Sequence, residues 1–129
     1  MCPIPTLRLL MCLSLLTVLA AGCSDLVPGT DANLEARLDA ARQISNPTLA
    51  DTTLAKLAKD AAFVGNTEVA ADSVEGIKAV SLHDQTAYDS AILLARNGAR
   101  DDAVELARMI GKPDMRDDVL RKLAEPLAP

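Results

Sequence analysis

The feature that most constrains this chain is a recurrence at one spacing. Gly65 and Gly98 are 33 residues apart, and so are Ile77 and Ile110, and Ile44 and Ile77. Ala58–Ala91, Ala62–Ala95 and Ala70–Ala103 fall on the same offset. Doubling it pairs Pro47 with Pro113, Asp51 with Asp117, Leu54 with Leu120, Lys56 with Lys122, Leu57 with Leu123 and Ala58 with Ala124. Alanine-rich helices match by accident at many offsets, so the Gly, Ile, Pro and Asp pairs carry the argument. A unit of this length holds two helices and their turns. Neither helix can bury its apolar face alone, so neighbouring units must stack.

Within the units the apolar spacing is helical. Leu34, Leu38, Ala41 and Ile44 share one face. Asn46-Pro47 ends that helix and starts the next, with Asn46 as cap and Pro47 in the first turn. Leu54, Leu57, Ala58 and Ala61 continue to Gly65, which suits a left-handed helix stop. Ala70, Val74 and Ile77 mark a third helix. Ala87, Ala91 and Leu94 mark a fourth, ending at Gly98. Ala103, Ala107 and Ile110 mark a fifth. After Gly111-Lys112-Pro113, Leu120, Leu123 and Ala124 mark a sixth. No run alternates with period two. The expectation is an all-α fold: a short α-solenoid of antiparallel helical hairpins, about six helices over residues 31–129.

Two full pairs flanked by a half unit at each end sit at the lower limit for a stable stack. The terminal helix leaves Leu120, Leu123 and Leu127 exposed unless something covers them. This predicts either folding back into a compact bundle or association through that face. Aromatic residues make up 2% of the chain, and alanine at the crossing points lets helices approach closely without large filler.

The hairpins are similar to tetratricopeptide repeats. The likeness covers roughly Asp51 to Ala124 and rests on small residues at Ala58, Gly65 and Ala70, and again at Ala91, Gly98 and Ala103. The chain departs from that family in lacking the large aromatics of the first helix, and its period is one residue shorter than 34. The helical-hairpin repeat follows from the residues; the family name does not.

Before the repeats, residues 1–22 read as a signal peptide. Arg8 is the only charged side chain, and Leu9 to Ala21 are apolar except for Ser14 and Thr17. That stretch is too short to span a bilayer, which takes about 20 apolar residues. It ends in Leu19-Ala20-Ala21-Gly22-Cys23, which resembles the lipobox of bacterial lipoproteins. Leu stands one place earlier than the family's usual position, which Ala20 fills here. The resemblance implies cleavage after Gly22 and a diacylglycerol thioether and acylated amine on Cys23. Ser24 in place of Asp implies transfer to the outer membrane, facing the periplasm. In a one-membrane bacterium the same anchor places the protein outside the cytoplasmic membrane. Residues 23–30 then form a lipidated tether broken by Pro28 and Gly29. Several acyl chains hold a protein at the membrane far more firmly than one.

The remaining domain is acidic, with 12 basic against 18 acidic residues once Arg8 leaves with the leader. Nucleic acid, whose phosphates need Lys and Arg, is a poor partner for it. Cys2 and Cys12 leave with the leader and Cys23 is modified, so the mature chain forms no internal disulfide. One histidine, His83, does not make a zinc site, and no cofactor is expected.

Catalytic candidates are few. His83-Asp84 is placed at a loop-to-helix junction, where Asp84 has a capping role. Asp101-Asp102 and Asp117-Asp118 are placed near helix starts, where negative charge favours the dipole. None forms a nucleophile–base arrangement, and the expectation is a protein that is not an enzyme. The first helices of the pairs present Lys56, Lys59, Tyr88, Arg96, Arg121 and Lys122. That basic and aromatic set suits an acidic or carboxyl-bearing peptide. The expected function is therefore a membrane-anchored lipoprotein whose repeat domain binds a protein partner. The alternative is a structural envelope lipoprotein that self-associates through Leu120–Leu127.

Overall fold

The computed structural model describes residues 31–126. The leader, the Leu19–Cys23 motif, the tether and Leu127 lie outside the described residues. Six helices follow one another: α1 (Asp31–Arg42), α2 (Pro47–Val64), α3 (Thr67–Gly76), α4 (Val80–Arg96), α5 (Arg100–Arg108) and α6 (Pro113–Ala124). No strand occurs among the described residues.

The local signals work as their chemistry dictates. The Asn46 side chain accepts from Leu49 N–H at 3.1 Å, and Pro47 occupies the first turn of α2, where its missing N–H costs nothing. Gly65 and Gly98 stand at φ 83° and 87°, a region where a side chain is strained. Each ends its helix with the same pair of bonds. Gly65 N–H reaches Ala62 C=O and Asn66 N–H reaches Ala61 C=O; Gly98 and Ala99 do the same to Ala95 and Leu94. The second helices also end alike, with Ile44, Ile77 and Ile110 N–H bonded to the carbonyls of Ala41, Val74 and Ala107. The 33-residue period is thus a period of backbone hydrogen bonds.

The helices form two layers. α2, α4 and α6 pack side by side in one, while α1, α3 and α5 form the other. α3 and α5 barely meet, so the second layer is splayed and the first is the tighter. The core between them is built from Leu34, Leu57, Val74, Leu94, Ile110 and Val119, with alanines such as Ala58, Ala70, Ala91 and Ala103 fully buried where helices cross. Each buried Leu contributes about 1.5–3 kcal/mol, and the small residues allow the close approach that brings those side chains together.

Of the two outcomes expected for the terminal helix, folding back is the one found: Leu123 is only 3% exposed and Leu120 is partly buried against the core, with α6 packed on α4 and α5. One expectation changes. Asp117 and Asp118 are the fifth and sixth residues of α6, past the first turn, where Asp114 supplies the acidic charge. Asp101 and Asp102 do lie in the first turn of α5.

Candidate functional site

The most ordered polar chemistry in the fold lies at the joints between repeats. Asp51, on the second turn of α2, is 6% exposed. Its Oδ1 accepts from Lys78 N–H at 3.0 Å and its Oδ2 from Ala79 N–H at 2.9 Å. These are the two residues that precede α4. One repeat later Asp84 is 1% exposed and accepts from Gly111 N–H at 2.9 Å and Lys112 N–H at 3.1 Å, just ahead of α6. Neither α4 nor α6 has a side-chain cap of its own. Each first helix therefore caps the next one, 27 and 28 residues further on.

This corrects the local reading of His83-Asp84. α4 begins at Val80, so both residues lie inside the helix and Asp84 serves the next helix rather than its own. His83 Nδ1 sits 3.2 Å from Asp84 Oδ1. Burial opposes ionisation of Asp84, but the bonds from Gly111, His83 and Lys112 outweigh it and hold the carboxyl below the usual range. Each Asp84 oxygen thus accepts a backbone N–H of the joint.

The basic and aromatic residues divide into two sets. Tyr88 on α4 meets Arg121 and Lys122 on α6 around Asp118. Tyr88 donates to Asp118 at 2.8 Å, Arg121 at 2.8 Å, and the Lys122 ammonium stands 3.1 Å from the same carboxylate. Lys122 also donates to the Tyr88 hydroxyl and lies 5.0 Å from the ring centroid. The hydrogen bonds from Tyr88, Arg121 and Lys122 hold the Asp118 carboxyl at about 2. The same cluster raises the Lys122 pKa, chiefly through Tyr88 and then Asp118. Arg121 also pairs with Glu125 at 3.1 Å, so all three patch residues are engaged within the domain, and Tyr88, Asp118 and Lys122 form a clasp between α4 and α6.

Lys56, Lys59 and Arg96 are exposed, and none makes a salt bridge among the described residues. Lys56 borders a shallow groove of about 440 Å³ between α1 and α2, shared with Arg37, Thr52, Thr53 and Leu57. Arg37 is held by Asp60 at 2.6 Å. Where α3 and α5 splay, a second groove of about 390 Å³ has Leu94, Leu106 and Met109 on its floor and Glu68, Asp102 and Glu105 at its rim. Sequence reasoning did not single that groove out, because its acids come from two helices of different repeats.

Among the described residues no three His, Cys, Asp or Glu side chains gather as a metal-binding group, and no helix is long and apolar enough to cross a membrane. Comparison with protein-family models, with curated proteins and with solved structures found no match.

Proposed function

We propose that this chain is a lipid-anchored protein of the bacterial cell envelope, not an enzyme, whose helical-repeat domain binds a protein partner. The observation that carries the anchor is the run Leu19-Ala20-Ala21-Gly22 ahead of Cys23, behind an apolar leader too short to span a bilayer. The acyl chains on Cys23 supply attachment, and Ser24 favours the outer membrane, periplasmic side. Asp31, where the tether meets the domain, is bonded to Asn66 at 2.9 Å.

Binding is read from the exposed cations on α2 and α4. Lys56, Lys59 and Arg96 have no carboxylate to neutralise them among the described residues, on a domain that is acidic overall, so an acidic or carboxyl-terminal peptide is the complementary ligand. Tyr88, Arg121 and Lys122 belong to this reading as the clasp that fixes the neighbouring helix.

Two measurements test it. Intact mass of the membrane-extracted chain should show residues 23–129 with acyl groups, and Cys23→Ser should abolish both cleavage and lipid. A bare thiol or an uncut leader refutes the placement. Crosslinking in the intact envelope should then trap one protein that is lost when Lys56, Lys59 and Arg96 are changed together to Ala. Trapping unaffected by that change refutes the assigned surface.

A further inference from the structure

Among the described residues the joint chemistry runs out at both ends of the stack, and the two ends match. The 33-residue series of aspartates is Asp51, Asp84, Asp117, and the first two are buried. Asp51 and Asp84 each accept two backbone N–H groups 27 and 28 residues ahead. Among the described residues Asp117 accepts no backbone N–H. Its side chain is 74% exposed, and its nearest opposite charge is Arg116 Nε at 3.9 Å. With Leu120 and Ala124 it forms a stripe on α6. The equivalent stripes, Asp51-Leu54-Ala58 and Asp84-Ala87-Ala91, are buried by the following hairpin.

The opposite end lacks what this end offers. Stepping back 33 from Lys78 and Ala79 gives Ser45 and Asn46, the residues that precede α2. The acid that would accept their N–H groups falls at position 18, which is Val18. Leu49 is 56% exposed, while its equivalents Leu82 and Met115 are partly buried against the core. The order of helices is also complementary. The described residues begin on a second-type helix, α1, and end on a first-type helix, α6, so α1 of another copy would stand to α6 as α3 stands to α2 and α5 to α4.

We infer that copies of this chain associate head to tail: Asp117 of one accepts from the Ser45 and Asn46 N–H groups of the next, extending the 33-residue register across the interface. The carboxylate meets the positive end of the α2 dipole, as Asp51 and Asp84 do at the internal joints. Such an interface is heterologous and leaves a free end on every assembly, so it builds rows rather than closed pairs. It uses the outer edge of α6 and not the Leu123 face, and it rests on the fold alone, independently of the lipid anchor.

The test uses the full chain in detergent. Ser45→Cys and Asp117→Cys variants are oxidised separately and as a mixture, each alone serving as control for the chain's own cysteines. A disulfide-linked dimer in the mixture, and a ladder of higher species from the double variant, are expected. Sedimentation should show Asp117→Ala associating at least about tenfold more weakly than the parent, with unchanged helical circular dichroism. Asp101→Ala, an exposed acid off the register, should match the parent. The inference is overturned by a mixture that gives no dimer beyond the controls. It is equally overturned if either single variant dimerises as well as the mixture, or if Asp117→Ala associates like the parent. Loss of the trapped envelope partner would leave these readings untouched, so the two proposals fail separately.

Discussion

The α2–α4 joint and the α4–α6 joint share one device and differ in everything around it. At both, a buried aspartate on the first helix seizes the two N–H groups ahead of the next first helix, with all four distances between 2.9 and 3.1 Å. Only the second joint adds His83 beside the acid and the Tyr88–Asp118–Lys122 clasp. The recurring part satisfies backbone donors that burial would otherwise leave orphaned, a cost of about 1–3 kcal/mol each. The added part is half exposed, where ion pairs contribute little. The repeat is therefore held by what recurs, and the clasp adjusts it.

The comparison breaks first if the aspartates are unequal. Asp84→Ala should cost about 3 kcal/mol in urea unfolding, and Asp51→Ala a similar amount. A loss at Asp84 several times that at Asp51 would move the weight to His83 and the clasp. The pH dependence sharpens the point. Because the folded Asp84 carboxyl is depressed, its contribution is complete above the unfolded carboxylate range, near about 3.9. It is lost as pH falls through the depressed folded value. The stability gap between the parent and Asp84→Asn should therefore narrow on acidification below that range.

Smaller effects follow at the other end of the bundle. Gly65→Ala and Gly98→Ala should each cost about 1 kcal/mol, and equally, since both turns sit in the left-handed region with open space around them. Ser90→Ala should raise stability by about 0.5–1 kcal/mol, because the Ser90 hydroxyl is buried without a hydrogen-bond partner among the described residues. Tyr88→Phe should have the smallest effect on melting. Its signature is instead a rise of the Asp118 pKa from about 2 toward the ordinary range, read by NMR titration.

The helices, their stops and the period were legible because each is written locally: Asn46-Pro47 as a start, Gly65 and Gly98 as stops, apolar residues at helical spacing. The role of Asp84 was not. A capping rule looks two or three residues ahead, whereas this acid acts 27 residues away, and its neighbour His83 invites a local reading. The pairing of Asp51 with Asp117 at the doubled period already held the clue, since Asp84 stands midway between them. The patch was half legible. Spacing put Tyr88, Arg121 and Lys122 on first helices, but their mutual contact depends on how closely α4 and α6 approach, and Asp118 was read as a helix-start charge.

The account stands on the claim that each repeat holds the next through an aspartate on backbone N–H groups. Amide hydrogen exchange in dilute solution addresses it most directly. Lys78, Ala79, Gly111 and Lys112 lie outside the helices and should nevertheless be protected, while Ser45 and Asn46 exchange freely. Asp84→Ala should expose Gly111 and Lys112 and spare Lys78 and Ala79. Rapid exchange at all six amides in the parent chain would contradict it.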